Sequence, residues 1–261
     1  MKKQSDLEKY FRSNTKRLIH KCNNYFDIYE RHFSRYRNKN VVLLEIGVSH
    51  GGSLQMWKNY FGENCKIYGI DIDPRCKEFE EENIEIFIGS QSDRKFLREV
   101  REKIGQVDIL IDDGGHKMRQ QIISFEELFD MVKKDGIYLC EDLHTSYWIC
   151  YGGGYKRRGT FVEYSKNFID YINAYHSEQR SLKVNHYSKS IASIHYYNGI
   201  VVFEKKEMEA TYSEKTGNPS LIDNPQKVSG LKNAAKKLKF ILLKWINTIL
   251  RWFRLPGFIW R

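Results

Sequence analysis

The sequence predicts an α/β protein on a Rossmann-like, mostly parallel sheet that closes in an antiparallel hairpin, with an N-terminal helix and a basic amphipathic C-terminal helix. Three observations carry this expectation. Short apolar, β-branched runs at Val41–Ile46, Lys66–Asp71, Ile84–Ile88, Val107–Ile111 and Gly136–Asp142 alternate with segments of helical period, the pattern of successive β/α units. The first run opens into a glycine-rich turn, Gly47-Val-Ser-His-Gly-Gly-Ser53, immediately before a helix. The last two runs, Ser193–Tyr197 and Ile200–Lys205, flank Asn198-Gly199, the strongest short hairpin signal.

At 261 residues the chain buries a substantial core, and one domain with appendages is expected. The formal charge of +10 resembles a nucleic-acid signature until it is located. From Gly230 onward there are eight Lys/Arg and no acids, so the rest of the chain carries only +2. No nucleic-acid partner is expected of the core. Five scattered cysteines with no CxxC pair, Cys140 among them inside an apolar run, fit a reduced, cytoplasmic protein with Cys140 as a core hydrophobe. The first residues show no apolar leader segment, and no apolar run approaches the length of a membrane span.

In chain order, residues 5 to about 37 read as one aromatic-rich helix, and 1–40 as a helical segment that packs on the core or covers a pocket. The core is expected over 41–210. Its helices are Leu54–Phe61, a helix opened by Pro74, one capped by Ser92 and running to about Lys103, Met118–Lys133, and Phe161–Tyr175. Residues 211–230 read as a linker. Residues 231–261 are amphipathic, with Leu231, Leu238, Ile241, Leu242, Trp245 and Trp252 on one side and lysines at its border, the composition of a helix lying on an anionic membrane surface.

The chemistry is concentrated at strand ends. The run V-D-I-L-I-D-D-G-G-H ends at Asp112, Asp113, Gly114, Gly115 and His116, and the next strand ends in Glu141-Asp142. Ligand-binding residues of α/β sheets sit at such carboxyl ends. Adjacent acids are costly there unless a cation is near, so four carboxylates on one rim outline a divalent-metal site. The glycine turn around Gly47, Gly51 and Ser53 departs from G-x-G-x-x-G and opens on Glu45, which repels a pyrophosphate but suits the amino group or sulfonium of S-adenosylmethionine. Asp71, about twenty residues beyond that turn, stands where an acid bonds ribose hydroxyls, and Ser90 and Gln91 where an adenine edge would lie. The loop after the last parallel strand offers Tyr147, Trp148 and Tyr151 as faces for a sugar ring or a phenol.

With these residues in view, Leu44-Glu-Ile-Gly-Val, Gly51-Gly-Ser-Leu, Tyr68-Gly-Ile-Asp-Ile-Asp73, Asp112-Asp-Gly-Gly-His116 and Glu141-Asp142 resemble the metal-dependent sugar O-methyltransferases of macrolide and aminocoumarin biosynthesis, a type often labelled cephalosporin hydroxylase. The similarity runs from about Tyr25 to Lys205. It implies a class I methyltransferase sheet, S-adenosylmethionine and Mg²⁺ as cofactors, Asp113, Glu141 and Asp142 as metal ligands, and His116 as the catalytic base. Asp112 is left outside the ligand set, placed beside the cofactor or in a structural role. Gly115 stands where the family often has serine.

The expected activity is Mg²⁺-assisted methylation of a hydroxyl in a sugar-containing acceptor, a glycoside or a membrane-tethered polysaccharide intermediate. Two other readings remain open at the level of sequence. A non-haem iron hydroxylase requires two histidines and a carboxylate facing one metal. A non-catalytic membrane-associated protein would retain the fold and bind S-adenosylmethionine poorly. Both the N-terminal segment and the tail are candidates for homo-oligomer contacts, and the tail for peripheral attachment at the inner face of a membrane.

Overall fold

Seven strands form one sheet in the order β3-β2-β1-β4-β5-β7-β6. They are β1 (Val42–Ile46), β2 (Lys66–Asp71), β3 (Ile84–Ile88), β4 (Val107–Asp112), β5 (Val132–Cys140), β6 (Ile191–Tyr196) and β7 (Val201–Lys205). A computed structural model describes residues 4–220 and 230–253, and for 230–236 and 251 the backbone only. The first five strands are parallel, and β7 runs antiparallel to both β5 and β6. The expected class, a parallel sheet ending in an antiparallel hairpin, is the fold observed. Register decides where the chemistry falls. Ile46 stands opposite Asp112, and Asp112 opposite Cys140, so the residues that follow β1, β4 and β5 emerge side by side on one rim.

Alternation along the buried strands feeds two cores. Leu43, Ile67, Ile109, Ile111, Ile137 and Leu139 pack beneath α1 (Asp6–Ser13), α2 (Tyr25–Phe33) and α3 (Gly52–Phe61), whose Leu7, Phe26, Tyr29, Phe33, Trp57 and Phe61 are fully buried. Their neighbours Leu44, Leu110, Tyr138 and Phe203 face α4 (Arg94–Ile104) and α5 (Met118–Leu128). On that side Phe125 stacks among Phe129, Tyr138, Phe168 and Phe203 at centroid distances of 4.8–4.9 Å. Helix α2 is also tied to the hairpin. His32 Nδ1 lies 3.0 Å from Glu204 and Nε2 2.9 Å from the Tyr197 hydroxyl. Burial holds the His32 imidazole below its ordinary value, although Glu204 opposes the shift.

Several boundaries differ from the periodic expectation, each for a local reason. The single helix over 5–37 is two. Helix α1 stops because Ser13 Oγ donates to the Lys9 carbonyl, while the Asn14 side chain bonds the Arg17 carbonyl and the Lys16 N–H. Residues 14–24 then run as a non-helical strap. The helix after β3 is capped by Asp93, whose carboxylate accepts from Lys95 N and Phe96 N, and Ser92 instead bonds Ser90. Pro74–Phe79 is a 3₁₀ turn. Helix α5 ends at Leu128, and β5 begins at Val132 instead of Gly136. Lys-Lys-Asp-Gly reads as a turn in sequence, yet a register shift absorbs it where a Cβ on Gly136 would crowd the Asp108 carbonyl. Phe161–Tyr175 divides into α6 (Phe161–Ser165) and α7 (Asn167–Ile172), with Ser165 and Asn167 side chains bonded back to helix carbonyls. A short α8 (His186–Ser190) leads into β6.

The chain divides into two compact units, Met1–Tyr212 and Ser213–Arg261. The second contains α9 (Gly230–Trp252), a helix of 23 residues. Leu238, Ile241, Leu242, Trp245 and Trp252 are all more than half exposed on it. Among the described residues no helix is long and apolar enough to cross a membrane. Residues 221–229 of the expected linker lie outside the described residues.

Helix α4 is clamped to α5 by ions. Arg98 meets Glu127 at 2.8 Å and Arg94 meets it at 2.6 Å, with Arg94 also paired to Glu126. Bonds from Arg98, then Arg94, hold the Glu127 carboxyl at about 2, below its usual 4.5. A depressed acid contributes stability that is complete above its unfolded value and is lost as pH falls through the folded one. Glu127→Gln should therefore lower stability at neutral pH and flatten the stability curve between pH 4.5 and about 2, measured by urea unfolding across that range.

Candidate active site

The rim at the ends of β1, β2, β4 and β5 is built from turns that glycine makes possible. Gly47, at φ +97°, takes the chain off β1, and its N–H donates to the Ile70 carbonyl at 2.8 Å. A Cβ there would overlap the backbone carbonyl of Asp113, so the turns after β1 and β4 are in direct backbone contact. Asp71, at the end of β2, accepts from the N–H groups of Val48 and Ser49, both at 2.9 Å, and from Asp73 N. It thereby fixes the first turn. Asp71, Gly47, Ser49, Ser90 and Gln91 contribute to the wall of a cavity of about 230 Å³. A second cavity, of about 210 Å³, shares Gly47, Ser49, Asp113 and Gly114 with the first, and adds Lys21, Ser53, His116 and Asp142.

The charged groups converge beside that shared wall. Glu141 is fully buried and accepts from the Tyr29 hydroxyl at 2.6 Å. Asp142, at φ +54°, accepts from the Tyr25 hydroxyl at 2.7 Å. Its other oxygen is 3.4 Å from His116 Nε2, and Asp113 Oδ1 is 3.9 Å from the same nitrogen. His116 itself has φ +53°, with Thr145 Oγ1 3.1 Å from its carbonyl. Its Nδ1 is buried without a hydrogen-bond partner among the described residues. The ammonium of Lys21 lies between Asp113, at 2.5 Å, and Glu141, at 3.1 Å, with Glu45 at 3.7 Å.

Burial dominates the electrostatics. It drives the Glu141 carboxyl well above its ordinary range, with Asp113 adding to the shift and Lys21 opposing it. Glu45 is raised for the same reason, again against Lys21. Burial alone would lower the Lys21 ammonium, but Asp113, Glu141 and Glu45 outweigh it and the net shift is upward. Asp112 is pushed up to about 7 by burial, partly relieved by Gln91 and Tyr138.

These residues fit a hard divalent cation. Ligand atoms of Asp113, His116 and Asp142 lie within 4.8 Å of one another, and oxygen donors predominate. Asp113, Glu141 and Asp142 meet on the rim around one buried ammonium, a set rich in carboxyl oxygens. The neighbouring cavity, walled by backbone and by the anchored Asp71, suits a polar ligand with vicinal hydroxyls.

Other expected contacts are relocated. Glu45 does not face either cavity. It is fully buried and accepts from Ser53 Oγ at 2.7 Å and Trp57 Nε1 at 3.1 Å, because alternation along β1 aims it beneath α3. Gly51 serves as the left-handed turn before α3 and lines neither cavity. Gln91 reaches the cavity wall, but its amide is consumed. Oε1 accepts from Gly115 N at 2.6 Å, and Nε2 donates to Asp112 at 3.1 Å and to Ser124 at 3.2 Å. Asp112 is thus a buried structural acid. Glu141 stands apart from the Asp113–His116–Asp142 group because Lys21 and Tyr29 hold it. Tyr147, Trp148 and Tyr151 line neither cavity; Tyr151 borders a separate recess with Arg94 and Lys117.

Sequence reasoning missed Lys21 and the hydroxyls of Tyr25 and Tyr29. The tyrosines carried a usable signal, since tyrosine in place of phenylalanine at i and i+4 puts two polar tips on one buried helix face. Lys21 carried none. An H-x-E tripeptide, His176-Ser-Glu178, has the start of an iron-binding triad, but it belongs to neither metal-capable group among the described residues, and His176 instead bonds Thr211. The second such group, His32, His195 and Glu204, is hydrogen-bonded internally and to Ser193 and Tyr197.

A sheet in this order, with a glycine turn after β1 and an acid closing β2, has the fold of class I methyltransferases. Residues 44–143 match the model of a methyltransferase domain. The 8-demethyl-8-alpha-L-rhamnosyl tetracenomycin-C 2'-O-methyltransferase of Streptomyces olivaceus is 32% identical over 191 residues, covering 70% of this chain and 50% of that protein. Mycinamicin VI 2''-O-methyltransferase of Micromonospora griseorubida is 36% identical over 190 residues, 68% of this chain and 47% of that one. A solved structure of MycE methyltransferase from the mycinamycin biosynthetic pathway, in complex with Mg, SAH and mycinamycin VI, superposes with a TM-score of 0.68 at 31% identity. That match covers 88% of this chain and 58% of MycE. The chain is similar to these sugar O-methyltransferases and spans about half the length of the curated relatives it matches.

Gln91 joins the two glycines after Asp113 to the interior, so Gln91→Leu should lower the unfolding free energy by about 1–3 kcal/mol, read from urea denaturation, through the orphaned Gly115 N–H and the loss of one donor to Asp112.

Proposed function

We propose that this chain is an S-adenosylmethionine-dependent, Mg²⁺-assisted O-methyltransferase that methylates a sugar hydroxyl of a glycosylated acceptor. The observation that carries this reading is the convergence of Asp113, His116 and Asp142 on one cavity that adjoins, through Gly47, Ser49, Asp113 and Gly114, a second one bordered by Asp71. Asp71 and the turn at Gly47–Ser49 bind the cofactor, and Asp113, Asp142 and Glu141 hold the metal, Glu141 upon release from Lys21. When bound, S-adenosylmethionine supplies an electrophilic methyl group and Mg²⁺ lowers the pKa of an acceptor hydroxyl.

The chain's own residues do the rest. His116 Nε2 takes the hydroxyl proton as the general base. Asp142 and Asp113 stand 3.4 and 3.9 Å from that nitrogen and stabilise the imidazolium as it forms. The left-handed backbone at His116 and the Thr145 hydroxyl beside its carbonyl hold the ring over the acids. Proximity between the cavities supplies much of the acceleration.

For the tail, the proposal is peripheral attachment to an anionic membrane surface, with a surface-polysaccharide intermediate as the acceptor. Exposed tryptophans and leucines on α9 together with Lys237, Lys239 and Lys244 support it.

Calorimetric titration with S-adenosylmethionine and Mg²⁺ should give saturable binding that Asp71→Ala weakens about tenfold or more. His116→Ala should leave that binding intact and lower turnover on a glycoside acceptor about 10²–10⁴-fold. No binding of S-adenosylmethionine would remove the methyltransferase reading. Full-length chain should sediment with phosphatidylserine-containing liposomes, and a chain ending at Ser229 should not; equal sedimentation would remove the membrane assignment.

A further inference from the structure

The strap between α1 and α2 crosses the carboxyl ends of the strands. The carbonyls of Arg17 and Leu18 lie where a Cβ on Gly52 would sit, and the Arg17 guanidinium packs over the Phe79 ring. From this strap Lys21 drops into the rim. Its side chain is 2% exposed, and its three donors face three carboxylates: Asp113 Oδ2 at 2.5 Å, Glu141 at 3.1 and 3.2 Å, and Glu45 at 3.7 Å. A charge this buried persists only with such partners. The ammonium therefore occupies a cation site made wholly of protein atoms.

Two of those carboxylates, Asp113 and Glu141, belong to the set assigned above to the metal. They differ in availability. Asp113 is divided, with Oδ2 on Lys21 and Oδ1 turned toward His116. Glu141 is not: Oε1 is held by Tyr29 and Lys21, and Oε2 by Lys21. An ion held by Asp113 and Asp142 leaves the ammonium in place, whereas an ion that takes Glu141 must displace it. We propose that Lys21 is an internal counter-cation that competes with a divalent metal ion for Glu141, so that the strap carrying it sets the metal affinity of the site. This rests on the reading of the acid rim as a metal site.

Two consequences follow from charge alone. Without metal, the ammonium offsets the repulsion among buried acids and the rim stays folded. With metal, the released side chain lifts from the cavity that Leu18, Ile19, His20 and Lys21 border, on the side where His116 faces. Metal loading and access to the base are then linked through one residue.

The test measures metal binding, independently of turnover. Mn²⁺ is titrated into the full-length chain and into Lys21→Met, with free ion followed by electron paramagnetic resonance. Competition predicts that Lys21→Met binds Mn²⁺ about tenfold or more tightly, because the competing charge is gone. Equal or weaker binding in the variant overturns the proposal and leaves the metal reading standing. No binding in either protein overturns the metal reading and the proposal with it. Should the variant fail to fold, the wild-type chain gives the answer by acetylation with acetic anhydride and mass spectrometry. Lys21 is expected to be protected without metal and acetylated at saturating Mn²⁺; protection under both conditions overturns the proposal.

Discussion

Like charge gathered in a dry place is the constraint around which this fold is arranged. The register of β1, β4 and β5 delivers Asp112, Asp113, Glu141 and Asp142 to one rim, with Glu45 directly beneath. No sheet holds five acids there unaided. Each is accounted for separately: Asp112 by Gln91 and Tyr138, Glu45 by Ser53 and Trp57, Glu141 by Tyr29 and Lys21, Asp142 by Tyr25, and Asp113 by Lys21. Much of the N-terminal segment exists to supply these partners.

Helix α2 shows how such supply is organised. Tyr25, Tyr29 and His32 occupy one face at i, i+4 and i+7, and reach Asp142, Glu141 and Glu204 in turn. The Tyr29 ring packs against Phe33 and Trp57, the Tyr25 ring meets Tyr29 edge-on, and their hydroxyls remain bonded. A helix that looks like aromatic filler is therefore also the polar lining of the rim. Its attachment to the hairpin at Glu204 and Tyr197 keeps that lining at a fixed height above the strands.

The sheet was legible because its signals are local and periodic. Lys66–Asp71 and Ile84–Ile88 match the observed strands residue for residue, and Asn198-Gly199 marked the hairpin. Strand order carried the acid pairs and His116 to one rim, whereas the ligand set and the base came only from the resemblance. What escaped was decided by side-chain competition or by contacts distant in sequence. Asn14 ended a helix through its own amide, and Asp93 took the cap from a serine already bonded elsewhere. Glu45 was assigned to a ligand from its place in the turn, but strand alternation turned it inward to Ser53 and Trp57. Lys21 meets Asp113 and Glu141 across 92 and 120 residues of chain, and nothing in its neighbourhood announces that meeting.

The missing side chain at Gly47 has a wider consequence. Because a Cβ on Gly47 would fall 2.1 Å from the carbonyl oxygen of Asp113, the turn after β1 and the loop bearing the acids are in direct backbone contact. Neither can shift without pushing the other. The turns after β1 and β4 are then one mechanical unit, and a substitution that moves either has to be read at both.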